Sequence, residues 1–155
     1  TCQKYCLRML SRILITAFSL LVLTNTSSAQ TSVSWGDLMD ITFKYVYLES
    51  VDIYVYFPLF KEKQKVLADK EVSITGYIIP IDIEANVYVL SAFPFSACFF
   101  CGAAGPESVM AVYFKSDDLN FKTDDRLTLT GSFELNDSDV NELIYILRDA
   151  EVIAP

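Results

Sequence analysis

A chain of 155 residues, 52% of them hydrophobic, with 12 basic and 20 acidic side chains, is long enough for one domain with a packed core. It contains no histidine, which excludes Ser-His-Asp and Cys-His nucleophiles and any zinc site with an imidazole ligand. The net charge of −8 argues against nucleic-acid binding, because that affinity rests on Lys and Arg displacing counterions from phosphates.

Residues 1–29 have the layout of an export leader. Arg8 and Arg12 form a basic start, residues 13–23 an apolar stretch, and Ser27-Ser28-Ala29 a small-residue cleavage site before Gln30. The apolar stretch is shorter than the about 20 residues a membrane-spanning helix needs, so no membrane span is expected after cleavage. Met9 opens a complete leader by itself, and residues 1–8, with Cys2 and Cys6, are expected to be an over-extended start. No cysteine stands at the cleavage point, so the lipoprotein pattern is absent. Cleavage removes Lys4, Arg8 and Arg12 but no acid, which carries the net charge from −8 to −11. It also leaves Cys98 and Cys101 as the cysteines of the mature chain. The expected location is exported, either periplasmic or secreted.

In the mature chain, Ser34 is placed to cap a short turn or helix over residues 34–40, with Trp35 free to pack. Period-two alternation then predicts two strands. Residues 41–47 put Ile41, Phe43, Tyr45 and Tyr47 on one face, and residues 51–57 end at Pro58. The polar residues 61–70 predict a loop or one helical turn. Further strands are expected over 71–81, 87–92, 108–115, 126–135 and 143–153, the last after an Asn136-Asp137-Ser138-Asp139 turn. No window carries a sustained apolar pattern at helical spacing, so the domain is all-β or nearly so.

Two of these strands share a layout, Glu71-Val72-Ser73-Ile74-Thr75-Gly76 and Arg126-Leu127-Thr128-Leu129-Thr130-Gly131. A glycine inside a strand marks a bulge or sharp bend, which suits a small closed barrel better than a flat sandwich. Five strands, the first and fourth bent at glycine, resemble the OB-fold, a five-stranded Greek-key barrel, over residues 66–153. The expected organisation is a leader over 1–29, then an extension over 30–65. That extension, two strands and a short helix, packs on an OB-like barrel over 66–155.

A narrower resemblance rests on Gly76-Tyr77-Ile78-Ile79-Pro80-Ile81, Val89-Leu90-Ser91, Ala97-Cys98, Gly105-Pro106 and Val109-Met110-Ala111-Val112, together with the leader and Trp35. In these features the chain resembles the exported bacterial domain-of-unknown-function family 3299 over most of residues 34–153. The resemblance implies an exported, OB-like envelope protein and brings no known activity with it. Relatives beside zinc-responsive envelope transport systems imply a link to a thiophilic metal. In that family the loop after the first cysteine often holds a His and several prolines. Here residues 99–108 lack the His and contain Cys101 instead.

The chemistry-bearing candidate is Cys98-Phe99-Phe100-Cys101-Gly102. Three readings are open. The pair is a structural disulfide formed in an oxidising compartment. Alternatively it holds a thiophilic metal, Zn or Cu, with Glu107 as an accessory carboxylate, the glycine turning backbone N–H groups toward the sulfurs. The third reading is a redox-active pair, although no basic residue or helix N-terminus stands beside it. Phe95, Phe99 and Phe100, with Phe93, form an aromatic cluster that offers a ligand or partner surface or else fills the barrel mouth and the seam to the N-terminal strands. The acid pairs Asp117-Asp118 and Asp124-Asp125 match no calcium-binding loop and are expected to form a solvated turn.

The expected function is a non-enzymatic envelope protein that binds a small ligand or a partner protein through the Cys98–Cys101 loop, with a link to a thiophilic metal. The alternatives are a thiol redox module using the same pair and a structural partner domain of an envelope complex.

Overall fold

The computed structural model of the chain describes residues 30–49, 52–82, 86–116 and 119–154, so residues 1–29, where the leader is expected, and Asp117-Asp118 lie outside the described residues. Its elements in order are β1 (Thr31–Ser32), α1 (Trp35–Leu38), β2 (Thr42–Leu48), β3 (Ile53–Leu59), α2 (Glu62–Lys65), β4 (Lys70–Asp82), β5 (Val87–Ser91), β6 (Val109–Phe114), β7 (Arg126–Leu135) and β8 (Tyr145–Ala154). Three 3-10 turns, Phe95–Ala97, Phe99–Cys101 and Pro106–Ser108, fill the connection from β5 to β6. No helix among the described residues is long and apolar enough to cross a membrane.

Period two in the sequence becomes inside and outside in the barrel. Val72, Ile74 and Ile78 of β4 point inward with Tyr88, Leu90, Met110, Val112, Leu129, Phe133 and Leu147 to form the main core. The strands run β4-β5-β6-β8-β7, and β7 pairs back onto β4 to close the wall. The β6–β8 pair is parallel, and the other four pairs are antiparallel. This is the five-stranded Greek-key barrel of the OB-fold.

Closure depends on two glycines. β4 pairs with β7 over residues 70–77 and with β5 from Tyr77 onward, so Gly76 sits where the strand changes partners. A Cβ there would lie 2.7 Å from the Ser91 carbonyl oxygen, and one on Gly131 would lie 2.6 Å from that of Arg148. The bends expected from the shared Thr-Gly layout are places where neighbouring backbones come too close for any side chain.

The N-terminal extension divides into a part joined to the barrel by backbone pairing and side-chain hydrogen bonds and a separate two-stranded sheet. β1 adds to β4 in parallel, with Thr31 opposite Val72. Ser34 caps α1, its Oγ accepting the Asp37 N–H, and Trp35 Nε1 donates to the Thr75 carbonyl at 2.8 Å. Leu38 is fully buried, and its carbonyl accepts the Tyr145 hydroxyl at 2.6 Å. Gln64 of α2, also fully buried, donates to the Asp37 carbonyl and accepts the Lys61 N–H.

β2 and β3 do not pair with the barrel strands, although Val55 to Pro58 of β3 line a small cleft together with residues 136–140 of the β7–β8 loop. They form a separate two-stranded sheet, in register from Thr42–Leu59 to Leu48–Ile53. Pro58 lies inside β3 rather than at its end, because a two-stranded sheet has only edge strands, where a missing N–H is tolerated. Tyr45, Tyr47, Tyr54 and Tyr56 share one exposed face of this sheet, with rings 4.6–4.9 Å apart.

Asp40 links this sheet to α2. It accepts from Lys61 and, at 2.8 Å, from Lys63, and those bonds lower its pKa from 3.8 to about 2. A carboxylate whose folded pKa is depressed stabilises the fold above its unfolded pKa, and that contribution disappears as pH falls through the folded value. Asp40→Asn is therefore expected to lower the urea midpoint at pH 7. The difference from wild type should shrink between pH 4 and pH 2, and urea titrations at a series of pH values check it. The group is exposed, so the effect is small.

Candidate functional site

The same alternation that fills the core leaves a second set of side chains on the outer face of β5 and β6. Ile79, Val89, Val109 and Cys98 form a small buried cluster there, with Phe99 and Leu143 packed against it. Beside this cluster lies a groove of about 310 Å³. Val89 and Ala111 form its floor. Ile81 and Val87 line it from the β4–β5 end, Phe100 from the cysteine loop, and residues 140–143 from the β7–β8 loop. Ile81, Val87, Phe100 and Val140 are 51%, 38%, 44% and 52% exposed, so the rim is apolar and open to water. The face of the second and third barrel strands, flanked by the first and last hairpin loops, is where OB-folds hold their ligands.

The β7–β8 wall is built by one side chain. Asn136 Nδ2 donates to the carbonyls of Asp139, Glu142 and Leu143, and its Oδ1 accepts the Ser138 and Asp139 N–H groups. An Asn that mimics a backbone turn in this way is the reason for the Asn-Asp-Ser-Asp turn read from the sequence. The wall it supports was not legible there. Next to it, the Tyr113 hydroxyl donates to Glu142 Oε1 at 2.7 Å. That bond, followed by loss of solvation, raises the Tyr113 pKa. Arg148 lies over the Tyr113 ring at 4.6 Å and donates from Nε to Glu134 at 2.8 Å.

The cysteine loop is held by backbone hydrogen bonds. Cys101 N–H and Ala103 N–H donate to the Cys98 carbonyl, and Gly102 N–H to that of Phe99, with Gly102 in the left-handed region at φ 73°. Glycine tolerates that conformation without strain. These N–H groups meet carbonyls, whereas a metal knuckle would turn them toward sulfur. Both cysteines are thiols, Cys98 buried and Cys101 exposed. Cys101 Sγ donates to the Phe95 carbonyl at 2.9 Å. Its sulfur is partly desolvated against the loop and stands near Cys98, which together raise its pKa and disfavour the thiolate.

Glu107 does not join the thiols. Its carboxylate folds back over Gly105, and its charge acts on Tyr145 at the α1 end of the barrel. Among the described residues no three His, Cys, Asp or Glu side chains gather as a metal set. The aromatic cluster divides. Phe99 packs on the buried cysteine cluster, while Phe93, Phe95 and Phe100 are exposed and do not fill the barrel mouth. Asp125 Oδ2 accepts the Lys122 N–H at 2.8 Å within its own turn, while Asp124 Oδ1 accepts the Phe95 N–H at 2.7 Å and so ties that turn to the β5–β6 connection.

Fold and groove together define an OB-fold barrel with an apolar cleft on its β5–β6 face. The structure is similar to the crystal structure of a DUF3299 family protein from Pseudomonas aeruginosa PAO1. The TM-score is 0.50 at 14% sequence identity, over 82% of this chain and 97% of the other. What the two share is the fold, and it is the fold that the residue resemblance implied. No protein-family model and no curated protein matches the sequence.

Proposed function

We propose that the chain is an exported, non-enzymatic protein of the bacterial envelope that binds a small, largely apolar ligand in the β5–β6 groove. The Cys98–Cys101 loop serves as one wall of that site. The observation that carries this reading is the groove itself. It has an apolar floor and four exposed apolar rim residues from separate segments, on the face that OB-folds use for ligands. A volume of about 310 Å³ is at the lower end of small-molecule sites. The leader supports export. In this reading Cys98 anchors the loop from beneath, and the adjacent 3-10 turn presents Phe100 to the groove. Thiol redox chemistry fits the loop less well, because the exposed thiol has a raised pKa.

The neutral dye N-phenyl-1-naphthylamine provides the test. Wild-type protein should enhance its fluorescence saturably, and Ala111→Phe, which fills the floor from outside the barrel core, should weaken that binding about tenfold or more. Unchanged dye affinity in a folded Ala111→Phe protein would refute the groove as the site.

A further inference from the structure

Resting on the groove reading, we infer that the ligand is a small amphiphilic cation, an apolar body carrying a protonated amine that Glu142 receives at the edge of the groove. Among the described residues that line the groove, Glu142 is the one formally charged side chain. Its Oε1 is occupied by the Tyr113 hydroxyl. Its Oε2 has no hydrogen-bond partner among the described residues and is free to accept from a ligand.

The surrounding charges favour a cation. Arg148, the nearby positive group, is already paired with Glu134 and stacked on Tyr113, and it does not line the groove. Arg148, Glu134 and Glu142 therefore leave one net negative charge beside the site, in a chain whose overall charge is −8. An ammonium head at Glu142 would gain a charge-assisted hydrogen bond in a half-buried setting, whereas a carboxylate head would meet repulsion. The volume sets the size of the apolar body. About 310 Å³ corresponds to roughly ten water volumes, enough for an octyl chain or a fused aromatic ring and too small for an extended peptide strand.

Octylammonium, octanoate and octanol, titrated by calorimetry into the full chain, separate head-group recognition from groove binding. Wild type should bind octylammonium about tenfold more tightly than octanoate, with octanol between them. Glu142→Gln should bring the three ligands to within about twofold of one another, and Ala111→Phe should weaken all three. If octanoate binds as tightly as octylammonium while Ala111→Phe still weakens both, the amine assignment is overturned and the groove reading stands. If no ligand binds better to wild type than to Ala111→Phe, both fail. Tighter binding of an acetyl-Leu-Lys-Leu-amide peptide than of octylammonium, lost in Glu142→Gln, would replace the small molecule by a peptide partner.

Discussion

Gly131→Ala is expected to destabilise the barrel by about 3 kcal/mol, at the upper end of what one added methyl group costs in a packed interior. The new Cβ would stand 2.6 Å from the Arg148 carbonyl oxygen, 3.0 Å from Leu147 Cγ and 3.2 Å from Ala150 Cα. Two of those three atoms are backbone and cannot rotate away. Relief requires β7 and β8 to separate where their register already shifts, between Thr130 and Ser132. Gly76→Ala has a similar geometry against Ser91 and should cost about the same. Gly36 supplies the control. A Cβ there meets nothing closer than Ser34 Oγ at 3.8 Å, and the residue lies in α1. Gly36→Ala should be neutral or stabilising by about 0.5 kcal/mol, through the lower backbone entropy of the unfolded chain. Urea denaturation of the three variants gives the comparison. Equal midpoints for Gly131→Ala and wild type would mean that the strands do not approach closely enough to close the barrel.

A loss at least as large is expected at Tyr145, where the barrel and its N-terminal extension are joined. The ring is fully buried, 5.6 Å from Phe133 and 5.7 Å from Phe60, and its hydroxyl donates to the Leu38 carbonyl. Burial is the largest cause of its raised pKa, with the charge of Glu107 second, and the phenol stays protonated as a donor throughout the ordinary pH range. Tyr145→Ala removes both ring packing and the bond and should cost about 4 kcal/mol. Tyr145→Phe keeps the packing and leaves a buried carbonyl without its donor, a loss of about 1–3 kcal/mol. Trp35 is the single tryptophan and lies in α1, anchored to the Thr75 carbonyl. Its emission thus reports whether the extension stays seated. In Tyr145→Phe a red shift of Trp35 before the main unfolding transition is expected. One shared transition with wild-type emission would show that Trp35 and Gln64 hold α1 without the tyrosine.

The barrel was legible because its strands carry their own boundaries. Arg126 to Leu135 alternates throughout and ends at a turn-forming Asn, and the two Thr-Gly endings mark the closure points. What could not be read is how segments meet in space. Tyr45 and Tyr47 have the alternation of a half-buried strand, yet their face is exposed because β2 finds only β3 as a partner. Phe99 and Phe100 are chemically identical neighbours with different surroundings. The 3-10 turn aims one at the buried cluster and the other at the groove, and that rotation is not encoded in either residue. The cysteine spacing predicted a shared turn and the structure supplies one. Glu107, chosen by nearness in sequence, is carried away by the turn that begins at Pro106. Glu142 and Tyr113 were missed because 29 residues separate them, and only the fold brings them together.

Groove binding is tested most directly by following the backbone amide resonances of the full chain during titration with N-phenyl-1-naphthylamine. The largest shifts should fall at Val89, Phe100, Ala111 and Val140, which lie far apart in sequence and meet at the groove. Shifts concentrated on the tyrosine face of β2 and β3, with none at those four residues, would contradict it.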